Sequence, residues 1–574
     1  MADTKSSSSS KALKRYGPIA LVAVVVIGVI VFAGSGGDDT DEDATGGNGG
    51  GSDTEATQDG LPLTFQEAEE EGVEIEWGEG CDTERGRVAI PLRNAAPCIE
   101  PQEEGADNGG ATSPGVTADS IKVVVYQGEP DPLQQALASD AGADVNNPAL
   151  TAQTAVDYLT MLDDVYESYG RTLDVQIVEA SGGPGDATAA QADARTIIDL
   201  EPFAVIGGPA QAPVYWQEVT DAGILCLGGC SIAEGWDDVE AAAPYLWPVG
   251  LAPEQADLHL AEMVGTQLVG KPAEFAGDPE LQSTERVFGW VQAERETGEF
   301  EARNDAFDAA FLEEYDGEIA TRSTYLFDPA AAQETATAVV ARMRDAGVTT
   351  IILSVDPLIP ANITREATQQ GYFPEWVIGP SVLADTTIFG RTFDQEQWDS
   401  AFGLSLPSAR AASELSDAFF SYQWYFGVEA PVNTVGVILP GPAQLMLGIH
   451  LAGPELTPEA FAQGLFRYPP LDGGKTYGHT SWGDDLWGRA DYNSTDDASV
   501  IWWDPTATGE DETGNEGTGM LRYVDGGTRY LPGEWPTDPI PFFEEEGSVT
   551  VYDELPDSDA LPDYEPWPGS PAAG

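Results

Sequence analysis

Between residues 120 and 380 the chain alternates short apolar runs with stretches of helical period, and this restricts its fold more than any other feature. IKVVVYQ (121–127) is an apolar run bounded by turn formers, which reads as a buried strand. NPALTAQTAVDYLTMLDDVYESYG (147–170) repeats apolar residues at helical spacing and stops at a glycine. LDVQIVEA (173–180), FAVIGG (203–208) and GILCLGG (223–229) read as further strands, with helices expected over 186–200 and about 211–222. After YLWPVG and a helix around 253–269, a second series follows: RVFGWVQ (286–292), ATRSTYLF (320–327), TTIILSV (349–355) and WVIGP (376–380). Helices over 301–315 and 330–346, and one leading to Gly371, separate these runs. A parallel neighbour can be reached only by a crossover, so strands of this kind imply parallel sheets with helices on both faces. The fold class is α/β, with two units of similar size in tandem.

The 574 residues carry 25 basic against 98 acidic side chains, a formal net charge of −73. Such a field repels nucleic acid and anionic lipid, so neither is expected to bind the main body. Beyond the N-terminal region the only lysines are Lys122, Lys271 and Lys475. An acidic, lysine-poor surface suits high salt, where self-repulsion is screened; it equally suits a general habit of exported proteins. A hydrophobic content of 42% with 14 tryptophans argues for a packed body rather than disorder.

Residues 1–16 are polar and include Lys11, Lys14 and Arg15; GPIALVAVVVIGVIVFAG (17–34) then runs eighteen residues without a charge. That length is close to the minimum for a membrane-spanning helix, and basic residues before it place the N-terminus inside and the rest outside. The run is longer than a typical signal-peptide core, no A-x-A site follows, and no cysteine is present for lipid attachment, so a retained signal anchor is expected. Residues 35–60, rich in Gly, Asp, Ser and Thr, read as a solvated tether; their Asp run lacks the glycine and terminal glutamate of a calcium loop. Four cysteines fall as two local pairs, Cys81 with Cys98 and Cys226 with Cys230. Outside a membrane such pairs usually oxidise; a C-x3-C pair could serve metal or redox chemistry, but no second pair or histidine cluster supports that. Residues 61–113 are expected to form a small cystine-closed extension, and 506–574, rich in Pro, Gly and acids, a non-globular or surface-draped tail.

Several segments together resemble type I periplasmic-binding proteins, the leucine and branched-chain amino acid class. They are ATSPGVTADSIKVVVY, TAVDYLTMLDDVYESYG, ATAAQADARTIIDLEPFAVIGGPAQAPVYWQEVTDAGI, FAGDPELQSTERVFGWV and TATAVVARMRDAGVTTIILSVDPLIPANITREATQQGYFPEWVIG. The similarity covers roughly 115–470 and rests on their order and spacing, not on one strict motif. CDTERGRVAIP and the later APC resemble the N-terminal extension of a membrane-exported subgroup. The resemblance implies two Rossmann-like lobes joined by a three-strand hinge, closing on a small solute for delivery to ABC permease subunits. On that reading residues 114–249 and 385–470 form lobe one, and 250–384 and 471–505 form lobe two.

Open α/β sheets bind ligands at the carboxyl ends of their strands. The candidates at those ends are Gln127, Gly128 and Glu129 after the first strand, Gly208 and Pro209 after the third, and Cys230, Ser231 and Ile232 after the fourth. The second lobe offers Gln292 and Asp356. Each position also suits a plain turn. Members that bind aliphatic amino acids place hydroxyl residues after the third and fourth strands, where counting puts Pro209 and Ile232, and an acid in lobe two, where it puts Ile359. Those residues cannot satisfy a buried zwitterion, although a slip in register would bring Ser231 or Asp356 into place. Gln127, Tyr215, Trp216 and Trp236 then point to a larger or more aromatic solute.

Catalytic signatures are sparse. The three histidines, His259, His450 and His479, form no triad pattern; His259 and His450 read as core or surface residues. No Walker A, G-x-S-x-G or H-E-x-x-H motif occurs, so no cofactor or metal is expected. The aromatic and acidic stretch 477–505 reads as a closing strand and helix of lobe two with exposed acids, although a carbohydrate platform or calcium site is conceivable. The function expected is solute binding for an importer; a tethered sensor or interaction protein is the alternative, and an extracytoplasmic hydrolase is third.

Overall fold

In the computed structural model, a four-stranded parallel sheet is built from β1 (Ser120–Gln127), β2 (Thr172–Glu179), β3 (Ala204–Ile206) and β4 (Leu225–Leu227), in the order β2-β1-β3-β4. The described residues are 60–102, 105–129, 147–209, 211–231, 234–294, 300–326, 328, 330–381, 383–432, 434–512 and 514–573. The expected membrane span at 17–34, the tether up to residue 59, and Ile232 lie outside them. Ile121, Val123, Val124 and Val125 of β1 are all buried, as their apolar run requires. The helix Pro148–Val165 begins at Asn147, whose side chain accepts from the Ala149 N–H, and Pro148 occupies its first turn. It covers the sheet with Tyr158, Leu159, Met161 and Leu162.

The second sheet contains β5 (Phe288–Glu294), β6 (Ile319–Leu326), β7 (Thr350–Ser354), β8 (Glu375–Ile378) and β9 (Ala401–Ser405), all parallel. Two long strands, β10 (Ala498–Glu510) and β11 (Glu516–Tyr523), extend it antiparallel, giving the order β11-β10-β9-β8-β7-β5-β6. The architecture is thus mixed α/β with two largely parallel sheets.

Three expectations need correction. β9 lies inside the span assigned to lobe one (385–470), yet it pairs with β8 and belongs to the second sheet. Its five residues carry a central glycine, a weak strand signal, but Gly403 is required there: a Cβ would lie 2.1 Å from the Ile378 carbonyl oxygen. The tail does not begin at 506, because β10 continues to Glu510 and β11 follows in the sheet. The stretch 477–497 forms no helix, and its acids divide: Asp484 and Asp485 are exposed, whereas Asp491, Asp496 and Asp497 are buried. Trp482 and Tyr492 pack in the first core, so this stretch does not belong to lobe two as expected for 471–505. Asp496 accepts from His479 Nδ1, Ser481 Oγ and Trp487 Nε1, and Asp497 from the His479 N–H and Arg529 Nε.

Among the described residues the chain crosses four times between the core on the first sheet and the core on the second. The first crossing runs from Trp247 to Leu260, the second from Ala409 to Ala418, and the third from Tyr492 to Ala498. The fourth leaves Tyr552, which packs on the second core, and reaches Tyr564, which packs on the first. The resemblance implied three. In the fourth, Val551–Tyr552 pairs in parallel with Arg410–Ala411 of the second crossing.

Cys81 is bonded to Cys98 and Cys226 to Cys230, with Cα–Cα separations of 5.7 and 5.6 Å. The first closes the extension, whose helix Phe65–Glu71 starts with a Thr64/Glu67 capping box and whose Ile90 and Leu92 enter the first core. Among the described residues one segment, Val435–Ala452, is long and apolar enough to cross a membrane, but 83% of it is buried in the protein.

Candidate functional site

A recess of about 320 Å³ opens at the carboxyl ends of the adjacent parallel strands β1 and β2. It lies beside the place where strand order reverses, with β3 on the other side of β1. Gln127, Gly128, Glu129, Asn147, Glu179 and Ala180 line it, together with Pro148 and Ala149 at the start of the helix. The parallel register sets Gln127 directly opposite Glu179, and the Ala180 N–H donates to the Gln127 carbonyl. Beneath the rim, Asp193 accepts from the Tyr126 hydroxyl (2.8 Å) and from the Ser181 N–H, which fixes the turn after β2. Burial, and then the Asp193 carboxylate, raise the Tyr126 pKa, so this hydroxyl stays a proton donor. Two carboxylates and two amides at a recess of this size can hold hydroxyl or cationic groups of a small solute.

Of the residues expected from sequence, Gln127, Gly128 and Glu129 stand in this recess. Gly208 and Pro209 follow β3, but a Cβ on Gly208 would meet the Tyr215 ring at 2.4 Å, so this glycine serves close packing. Tyr215 is fully buried, stacked at a tilt on Tyr126 with ring centroids 5.5 Å apart. Trp236 gives its Nε1–H to the Ala490 carbonyl and carries Arg489 over its ring. Tyr215 and Trp236 therefore act as packing groups; Trp216, also buried, keeps an indole N–H without a hydrogen-bond partner. Cys230 has its sulfur in the disulfide. Ser231 is wholly buried, and its hydroxyl finds no hydrogen-bond partner.

In the second lobe the two candidates are occupied by their own surroundings. The Gln292 amide is closed against Asn304 by two reciprocal hydrogen bonds of 2.9 and 3.1 Å. Asp356 accepts from the Leu358 and Ile359 N–H groups at 2.7 and 2.9 Å and from the Tyr325 hydroxyl, which fixes the turn before the helix Pro360–Gln369. Burial raises the Asp356 pKa against the lowering effect of those donors. No hydrogen bond or ion pair described here joins these residues to Gln127 or Gly128.

Sequence reasoning passed over Asn147 and Glu179. The strand ending at Glu179 was legible, but only the pairing order shows that it borders β1. The histidines behave as expected of core residues: His259 lies between the Asp496 carbonyl and Trp535 Nε1, and His450 between the Glu167 N–H and the Pro97 carbonyl. Burial lowers both pKa values to about 4. Among the described residues no group of three or more His, Cys, Asp or Glu side chains is placed to hold a metal ion. A second recess, of about 580 Å³, lies on the extension between Phe65, Val73 and Trp77 and includes no residue of either sheet.

No family model matches the sequence, and no curated protein matches it. Solved structures that it resembles include solute-binding proteins of ABC transporters. The closed leucine-, isoleucine-, valine-, threonine- and alanine-binding protein of Brucella ovis is 13% identical, covering 76% of this chain and 100% of its own, with a TM-score of 0.47. A fatty acid substrate-binding protein of Thermomonospora curvata is 14% identical over 71% of this chain and 92% of its own, with a TM-score of 0.43. A Rhodopseudomonas palustris solute-binding protein in complex with 4-hydroxybenzoate is 13% identical over 70% and 97%, with a TM-score of 0.45. The two-lobed description of this chain rests on its own strand order and crossings.

Proposed function

We propose that this protein is an extracytoplasmic solute-binding protein, held at the outer face of a membrane by residues 17–34, that captures a small organic solute between its lobes for an ABC importer. The observation that carries this reading is the recess at the carboxyl ends of β1 and β2, in a chain whose two parallel-sheet lobes are linked by crossing segments. Glu129 and Glu179 at the recess favour a solute with hydroxyl or cationic groups over an anion. Packing of Tyr215 and Trp236 into the protein supports a polar solute over an aromatic one. The role is binding, not catalysis, and the permease subunits are the partners.

Native mass spectrometry of the detergent-solubilised full chain, followed by titration of the released compound, tests the reading. The expected result is one small solute bound reversibly, with a more compact scattering profile when it is present. Absence of any bound solute, and no change in scattering across a broad metabolite panel, would overturn it.

A further inference from the structure

We infer that the carboxy-terminal segment is a fourth interlobe strand that limits how far the lobes can open. After β11 the chain stays with the second lobe as far as Tyr552, whose ring packs on that core and whose hydroxyl donates to the Gly526 carbonyl at 2.7 Å. There Val551–Tyr552 pairs with Arg410–Ala411, and the Ala412 N–H donates to the Tyr552 carbonyl at 3.0 Å. The second and fourth crossings are thus bonded into one ribbon. Both run from the second lobe to the first, so the ribbon is parallel.

Beyond the ribbon the strand is fixed again. Asp559 is 1% exposed, and its carboxylate accepts from the Lys475 N–H (2.9 Å), the Thr476 N–H (2.7 Å) and the Thr476 hydroxyl (2.8 Å). Its carbonyl accepts from Arg93. Further on, the Tyr564 and Glu565 carbonyls accept from Trp424 Nε1, and the Tyr564 hydroxyl donates to Asp82 of the extension at 2.6 Å. Trp567 packs over Gly80, where a Cβ would come within 2.8 Å of its ring.

Opening of a two-lobed protein changes the torsion of every crossing. A single crossing adapts through a few residues, but a hydrogen-bonded pair must turn together or part. From Tyr552 to Asp559 there are seven residue steps, which at full extension reach about 24 Å. Lys475 is itself tied to the second lobe, through the Asp525 carbonyl and the Ala409 N–H, so the contact that anchors Asp559 to the first lobe is the one from Arg93 to its carbonyl. The strand cannot follow a wide opening without losing either its β pairing or that bond. It restrains the open state whatever solute the lobes accept, so its failure would leave the proposed function standing.

The test cuts the strand after folding. A protease recognition sequence is inserted between Asp553 and Glu554, which are both exposed. All four cysteines are in disulfides, so spin labels can be placed specifically at D199C in the first lobe and L312C in the second. Interlobe distances are then measured by double electron–electron resonance, without solute, on the labelled chain lacking the insert, the inserted chain, and the cleaved chain. Cleavage is expected to shift the distribution to longer distances while the thermal transition persists. Superimposable distributions before and after complete cleavage would overturn the inference. Loss of the thermal transition on cleavage would overturn it too, because the segment would then be part of the fold and not a restraint on it.

Discussion

Replacing Arg286 by methionine probes the second lobe far more severely than its surface would suggest. Arg286 and Glu375 form a two-pronged pair, Nε to Oε2 and Nη2 to Oε1, each 2.8 Å, with side chains only 1% and 0% exposed. Glu375 also accepts from the Thr350 hydroxyl at 2.6 Å and the Phe275 N–H at 3.0 Å, so it joins β7, β8 and the segment before β5. Methionine keeps most of the buried stem but removes every donor. The carboxylate is left with two neutral donors and no counter-charge, and breaking one partner of a buried pair typically costs about 3–5 kcal/mol. Denaturant unfolding followed by fluorescence, with Trp376 adjacent to Glu375 in β8, should show a loss of this size. R286M/E375M should recover much of the loss, because it buries no unpaired charge. A cost for R286M below about 1 kcal/mol would refute the reasoning.

Other expectations follow from the same geometry. His259 and His450 fall from an ordinary 6.5 to about 4 through burial, so the unfolded chain takes up protons that the folded one refuses; stability should drop as pH falls from about 6.5 to about 4, by up to about 3 kcal/mol per histidine, and H450Q should flatten that slope in pH-dependent melts. Removing the Cys81–Cys98 bond, which spans 17 residues, by C81S/C98S should cost about 3 kcal/mol in chemical denaturation. For a cationic solute, E179Q should weaken binding by about tenfold in calorimetry, and Q127A by a smaller factor, with melting temperatures unchanged. With a net charge of −73, raising salt from about 0.1 to 1 M should raise the melting temperature, since the screening length falls from about 10 to about 3 Å.

The parallel strands were legible because a strand covered on both faces has to be a continuous apolar run, as in IKVVVYQ and TTIILSV. β9 was not, since a glycine interrupts it and its neighbour is known only after pairing. Of the long strands, β10 was legible as a closing strand only up to about residue 505; its continuation and β11 are rich in Thr and Gly, a pattern that resembles a loop until the sheet edge is in place. Acids at 491–497 read as solvated by composition, but their partners, His479, Trp487 and Arg529, come from other segments. At the recess the same division holds: Gln127 and Gly128 follow from strand ends, whereas Glu179 needs the strand order. Tyr215 and Trp236 were read as ligand contacts because residue type alone cannot separate a binding platform from a packed core.

The bond between Asp82 and Tyr564 brings the first and last described portions of the chain together on one lobe. On the proposed reading, with the chain held through residues 17–34, that lobe would be the stationary one: a pull transmitted through residue 60 would enter it directly and reach the other lobe only through the crossings. A reporter placed beside Tyr564 would then stay silent during closure, while one placed in the second sheet would register it.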